Sequence, residues 1–548
     1  MPQCKKCQTE FEITDKDREF YKKMLVPEPT QCSECRLRRR TAHMNEIFLY
    51  KNKCAATGKE IVSNVHPDSD FKVYDQEYHW SDKWDQLENG RDYDFSRPFF
   101  EQFRELAISQ PYAALQTAFN FDENSDYSNC AGKNKNCYLV FDADENRDSY
   151  YVYGVNKCVS TMDCFRVNES ELCYECVDCV KCYNSYFLQD CVGCVDSVFL
   201  KNCIGCKNCI MCSNLKNKEF HVNNKPVSRE EYEAQKAKCM SYESMMGARE
   251  FFDEWKLEFP QKYVHEVQCE DFVGDYLNNS KKAEMCFDST GLWDCKYVYQ
   301  AFNNLKDSMD INECGDRSEQ MYECYEGGYN AFNIKFCLSV FNQVSDVSYS
   351  WYCSSVKNIF GCAGLKRKEY CILNKQYTKE EYEKMLPRII EHMKSTGEWG
   401  EFFPMEMSMF SYNETMAQEY FPSTKEEIVA EGLKWRDDDP KEFLKQKYVA
   451  LDSIEEVDET VCDELLACEK CGRNYKIVNE EYKLLKRLGL PLPRMCFYCR
   501  HDRRRLMRNP KKIYDRQCGK CGANVKTSYE EGRPEIIYCA KCYLESLA

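Results

Sequence analysis

Residues 191–212 read CVGCVDSVFLKNCIGCKNCIMC, with six cysteines in twenty-two positions. Whether those thiols ligate metal, pair as disulfides or fill a core decides the fold. The stretch belongs to a longer register. Cut in sixes from Cys137, the chain runs CYLVFD, ADENRD, SYYVYG, VNKCVS, TMDCFR, VNESEL, CYECVD, CVKCYN, SYFLQD, CVGCVD, SVFLKN, CIGCKN, CIMCSN without a break to Asn214. The first place is always Cys, Ser, Ala, Val or Thr. The fourth is Cys, Val or Leu except at Asn146 and Ser170, and the sixth is Asp or Asn in nine of the thirteen. A period of six does not fit an α-helix. It fits short strands joined at corners where Asp and Asn tolerate a left-handed backbone. Three hexads per circuit predict 18-residue coils stacked about 4.8 Å apart. The predicted fold class is mainly β, a parallel β-helix of either hand. Cys158, Cys176, Cys194 and Cys212 would form one ladder, and Cys173, Cys191 and Cys209 another. The same places also hold Leu188 and Leu200. A ligand cannot be exchanged for leucine but a small buried group can, so these thiols are read first as packing. Neighbouring sulfurs in a ladder could alternatively hold a soft metal.

A second solenoid segment is expected. CSNLKNKEFHVNNKPVSREEYEAQ from Cys212 and CAGLKRKEYCILNKQYTKEEYEKM from Cys362 align without a gap, 150 positions apart. Each ends a Cys- and Asn-rich segment and enters a charged helix suited to covering an open solenoid end. The hexads before Cys362 are looser.

The two ends of the chain match each other. Cys4, Cys7, Cys32 and Cys35 recur at Cys468, Cys471, Cys496 and Cys499, each 464 positions later, and Pro27, Pro29 and Arg36 recur at Pro491, Pro493 and Arg500. Two residues between cysteines let one tight knuckle present two thiolates to one ion, and two knuckles close a tetrahedron. A third set is Cys518, Cys521, Cys539 and Cys542. Its N-terminal counterpart keeps Cys54 and Gly58 but places Thr57, Asp75 and Tyr78 where cysteines would stand. The expectation is three zinc ions and one ribbon that kept its fold without metal. A rival site would recruit Cys54 and Asp75 with His79 or His66. The pattern C-x2-C-x3-F followed by PEPTxCxECRxxRR resembles the family of probable zinc-ribbon domains over about 36 residues at each end. That resemblance implies a ribbon fold at both termini and no defined activity. The whole arrangement is similar to that of uncharacterised cysteine-rich proteins of small-genome bacteria.

These signals divide the chain into tandem ribbons (1–83), a helical linker (84–124), β-helix 1 (125–227), a helical cap (228–262), β-helix 2 (263–378), a second helical linker (379–460) and tandem ribbons (461–548). Arginines follow the last ligand of each duplicated ribbon: Arg36, Arg38, Arg39 and Arg40, then Arg500, Arg503, Arg504, Arg505 and Arg508, with Lys511, Lys512 and Arg516 beyond. If helical, each run presents guanidinium forks on one face. Such forks suit phosphate oxygens, or they pair with the chain's own acids. With 38 Cys among 548 residues, a net charge of −16 and no apolar run long enough to span a bilayer, a cytoplasmic protein with reduced thiols is expected and a membrane partner is not. No P-loop, GxGxxG, HExxH or GxSxG occurs. Asp294, Asp307, Asp310 and Asp316 are read as solvated turn residues. His221, whose duplicate is Cys371, is read as structural. The leading expectation is a non-enzymatic zinc-binding adaptor whose ends contact nucleic acid, a ribonucleoprotein or a protein. A β-helix enzyme acting on a carbohydrate-like substrate and soft-metal storage or sensing by the ladders are the alternatives.

Overall fold

The computed structural model describes residues 1–314, 316–340, 344–437 and 443–547. It is mostly strand, and the strands pair in parallel through most of its length. From Asn136 to Asn223 every third residue has positive φ, as at Asp142, Glu145, Asp148 and Tyr151. The unit is therefore a triplet. One residue points inward, one is extended, and one is left-handed at a corner. The inward residues Cys137, Val140, Ala143, Val152, Val155 and Cys158 are buried. No Val, Ile, Thr or Pro occupies a left-handed position among the described residues. A β-branched side chain clashes there and the proline ring fixes φ negative.

Turns pair at an offset of twelve residues, as in Tyr138↔Tyr150 and Tyr186↔Val198 and in the bridges Asn156↔Asn168 and Val180↔Val192. The expected 18-residue coil is not formed, because four left-handed corners return the chain beneath itself after four triplets. Hexads group in twos, and the ladders change accordingly. Cys182, Cys194 and Cys206 occupy successive turns of one column, as do Cys179, Cys191 and Cys203. The next place after Cys158 is Ser170, not Cys176.

The triplet also sets how the backbone groups of each turn are hydrogen-bonded. The extended residue donates to the turn above (Met162 N–H to Cys173 O, 3.0 Å) and the left-handed one to the turn below (Asp163 N–H to Tyr150 O, 3.1 Å). At several places the inward N–H is met by a polar side chain twelve residues earlier in its own column. Cys182 N–H donates to Ser170 Oγ at 3.0 Å, Cys158 N–H to Asn146 Oδ1 at 3.0 Å, and Ser170 N–H to Cys158 Sγ at 3.3 Å. Thiols donate in turn to carbonyls, as from Cys194 Sγ to Cys203 O at 3.4 Å. Cysteine here is packing and hydrogen-bonding partner together. Ser197→Ala would strand the Cys209 N–H that Ser197 Oγ accepts at 3.1 Å. Urea unfolding should show a loss of about 1–3 kcal/mol, the cost of an unsatisfied buried donor. Ser197→Cys, which keeps an acceptor, should lose clearly less.

A second stack begins at Glu266, which pairs with Leu277. Its offset drifts, from Glu270↔Lys281 through Lys281↔Trp293 to Leu292↔Leu305 and Met309↔Tyr322, and returns to twelve at Lys357↔Glu369. Left-handed residues lie four apart at Gln300/Asn304, Glu313/Arg317 and Glu326/Asn330. These inserted residues scramble the hexads. Cys324 and Cys337, on successive turns with Cα atoms 4.8 Å apart, form a disulfide that the reading of free and metal-bound thiols did not include.

Both stacks end alike. Asn224 donates to and accepts from the backbone of Ser213, and Asn374 does the same with Ala363. One side chain thus stands in for the missing next turn. Short antiparallel pairs follow, then the helices Arg229–Lys238 and Lys379–Thr396. The left-handed columns 130–214 and 276–364 face one another. Tyr276 OH donates to Asp190 (3.0 Å), Arg166 lies 4.0 Å from Asp288, and Gln300 lies 3.4 Å from Asp142. Numbers rise in one column as they fall in the other, so the stacks lie side by side with opposite polarity.

Candidate metal centres and docked arginine helices

Among the described residues, three or more His, Cys, Asp or Glu ligand atoms come within 4.8 Å of one another at three tetrads. These are Cys4, Cys7, Cys32 and Cys35; Cys468, Cys471, Cys496 and Cys499; and Cys518, Cys521, Cys539 and Cys542. All twelve sequence candidates are brought together. Each knuckle is a tight turn closed at a left-handed residue. Gln8 (φ 63°), Gly472 (75°) and Gly522 (72°) donate their N–H to the carbonyls of Cys4, Cys468 and Cys518. The second pair of each set sits at a helix start. Cys32, Cys496 and Cys539 are the N-caps of Ser33–Thr41, Phe497–Arg505 and Ala540–Ser546, so the positive end of each helix dipole adjoins its cluster.

The sulfurs Cys7/Cys32 and Cys471/Cys496 are 3.7 Å apart, and Cys521/Cys539 are 3.8 Å apart. A tetrahedron with arms of about 2.3 Å has an edge of about 3.8 Å, whereas a disulfide needs about 2.05 Å. The donor sets fit a tetrahedral tetrathiolate metal with no open position.

The fourth knuckle keeps its backbone, with Cys54 N–H to Lys59 O and Gly58 N–H to Cys54 O. Asp75, standing at the place of Cys539, caps Gln76–Trp80 through Oδ1 to Tyr78 N–H at 3.0 Å. Lys59 Nζ lies 2.7 Å from Asp75 Oδ2. The carboxylate that replaces a cysteine is thus answered by a lysine of the chain. Neither His66 nor His79 gathers with Cys54 and Asp75 into such a group among the described residues. His66 Nδ1 accepts the Asp68 N–H, and His79 lines a cleft between the stacks.

The arginines that follow each tetrad are docked within the molecule. Arg36 Nε donates to Asp310 at 3.0 Å, Arg40 to Asp310 and Asn312 at 3.2 and 2.7 Å, and Arg39 to Glu323 and Glu401 at 2.7 Å. Arg38 forks onto Glu431. At the other end Arg500 and Arg504 meet Asp163, Arg503 and Arg504 meet Glu175 at 2.6 and 3.1 Å, and Arg508 bridges Asp178 and Asp288. Arg505 pairs with Asp502 on its own helix. Arg36, Arg39, Arg40, Arg500 and Arg504 are buried. The docking is crossed. The N-terminal helix lies on the second stack and the C-terminal helix on the first. It also repeats: Arg36, Arg39 and Arg40 correspond to Arg500, Arg503 and Arg504, and Asp310 and Glu323, like Asp163 and Glu175, are left-handed corner residues on successive turns. Burial would raise the Glu175 carboxyl, but Arg503, Arg504, Arg249 and Arg500 override it and hold it down at about 2.

Asp310, expected to be solvated, is buried beneath two guanidinium groups, whereas Asp294, Asp307 and Asp316 remain partly exposed with single basic partners. The receptor acids escaped sequence reading. Their signal is a pair of acids twelve or thirteen positions apart at corner places, matched to an Arg-x-x-Arg-Arg run. Compared with protein-family models and with curated proteins, the chain matches none.

Proposed function

We propose that the chain is a zinc-binding, non-enzymatic scaffold. Two parallel β-helices are held side by side, and terminal zinc ribbons clamp them by driving arginine helices onto their acidic corner columns. The observation that carries this reading is the coincidence of ligand and clamp. Cys32 and Cys496 begin the two arginine helices and Cys35 and Cys499 lie in their first turns, so a metal that shapes the knuckle also aims the arginines. Tetrathiolate sites without an open position are structural sites, which is why zinc is assigned a folding role here. No helix of the described residues is long and apolar enough to cross a membrane. The many free thiols fit a reducing compartment such as the cytoplasm.

The partner we infer is a protein that uses the outer faces of the solenoids. Nucleic acid, as such or in a ribonucleoprotein, is the competing outcome, but phosphates would have to displace carboxylates already seated on most of the candidate arginines. Gel shifts with duplex DNA and single-stranded RNA at 0.15 M salt should show no retained complex. A complex that survives this salt and is lost in a folded Arg503→Glu variant would replace the protein-scaffold reading with phosphate binding. Soft-metal storage predicts ten or more bound ions per chain. The inner columns do not favour it, because their thiols are spent on backbone carbonyls.

A further inference from the structure

Between the two stacks, towards the first turns of one and the middle turns of the other, lies a cleft of about 560 Å³. Asp142 and Glu313, both buried, enter it from facing columns, and Gln300 Nε2 stands between them, 3.4 Å from one carboxylate and 3.5 Å from the other. Glu326 lines the same wall, and the buried carboxyl of Glu46 lies close to that of Glu313. Two more groups add unmet hydrogen-bonding capacity. Asn64 (3% exposed) and His79 (6% exposed) line the cleft, and neither Asn64 Nδ2 nor His79 Nδ1 has a hydrogen-bond partner.

The internal symmetry says what is missing. Turn for turn, Asp142 corresponds to Asp288 and Glu313 to Arg166. Asp288 is answered by the guanidinium of Arg508 and the ammonium of Lys511 as well as by Arg166 at 4.0 Å. At the equivalent places of the N-terminal segment stand Met44 and Ile47, with Glu46 between them. One half of the interface is filled by cations from the chain. The other half has acid facing acid, with Arg166 reaching Asp142 only at 3.9 Å. Burial, added to the nearby carboxylates, pushes Asp142 up to about 8 and Glu326 up to about 7. The mouth carries exposed aromatic rings at Trp80, Phe121, Phe302 and Tyr329, surfaces on which a cation or its aliphatic stem can lie. Lys366 is held against Trp80 and Trp84, and Lys133 is paired with Glu145.

We propose that this cleft is a binding site for an organic cation: a guanidinium or primary ammonium on a short chain that also carries a carbonyl acceptor, as an arginine or lysine residue does. The cationic end lies on the cleft side of Asp142 and Glu313, in front of the Gln300 amide that links them, and the acceptor end reaches Asn64.

Calorimetric titration of the zinc-loaded chain with Nα-acetyl-arginine amide tests this, with the uncharged isostere Nα-acetyl-citrulline amide as control. Saturable binding of the arginine compound, at least tenfold tighter than the citrulline compound, is expected. Asp142→Asn with Glu313→Gln should abolish that preference. Phe121→Ala, at a residue 70% exposed and therefore harmless to folding, should weaken binding several-fold while keeping the preference. Equal binding of the two compounds, or none by either at millimolar concentration, overturns the proposal, as does a preference that survives the double variant.

Discussion

Arg504→Ala is expected to lower the unfolding free energy by about 3–5 kcal/mol in urea titrations, the range for breaking a buried ion pair from one side. Arg504 is buried, and its Nη1 stands 2.8 Å from Asp163 and 3.1 Å from Glu175, both buried as well. Removing the guanidinium leaves two carboxylates out of water with one fewer cation, and most of the penalty is their desolvation. The net worth of the intact pair is smaller than this figure, because desolvating charge consumes much of the Coulombic gain. Two companion variants separate the terms. Arg504→Lys keeps the charge that meets Asp163 and Glu175 but loses the second nitrogen, Nη2, which donates to the Tyr151 carbonyl, so it should recover only part of the loss. Arg504→Ala combined with Glu175→Ala should cost less than the sum of the two single changes, since each single change strands the other partner. Arg40→Ala, at the corresponding place over Asp310 and Asn312, should behave likewise, because the clamp is duplicated.

Metal removal should be larger still. Structural zinc in small ribbon-like modules contributes on the order of 10 kcal/mol to folding, so stripping it undoes the module. Here the arginine helices begin on tetrad cysteines, and in the proposed clamp their registry on the acid columns depends on the knuckle. A strong chelator should therefore lower the thermal midpoint sharply. It should also expose solenoid thiols such as Cys182 and Cys194 to a thiol reagent that leaves them untouched in the loaded protein. The Cys54 ribbon should respond differently, since the Lys59–Asp75 pair and the helix cap at Asp75 need no metal. If circular dichroism, thermal midpoint and thiol labelling are unchanged by a chelator that demonstrably removes the metal, the ribbons are ornaments on a fold that stands without them.

Much of this was legible beforehand, and the failures are specific. The hexads of residues 137–214 reveal a corner-and-strand repeat because each inward place needs a small or apolar group and each corner excludes β-branched residues. They do not reveal the circuit, since a six-residue pattern closes equally well after twelve or eighteen. The clue lay in the columns: Leu188 and Leu200 are twelve apart, and so are Cys179, Cys191 and Cys203. The twelve cysteines of the tetrads were readable because the spacing that gathers them is local, confined to knuckles two residues wide. The clamp was not readable in that way. Arg500 and Asp163 lie 337 positions apart and Arg36 and Asp310 lie 274 apart, and nothing local to either marks the other as its partner. The cleft was hidden for the same reason. Asp142 and Glu313 look like ordinary corner residues until opposite polarity sets the two columns face to face.

The central claim is that, apart from the Cys324–Cys337 disulfide, the thiols form two main populations, metal clamps at the ends and packing groups in the inner columns. Elemental analysis with zinc X-ray absorption on the purified chain tests it most directly. Three zinc ions per chain, each with four sulfurs at about 2.3 Å, is the predicted result. Ions well in excess of three, or a first shell mixing in nitrogen or oxygen, would contradict it.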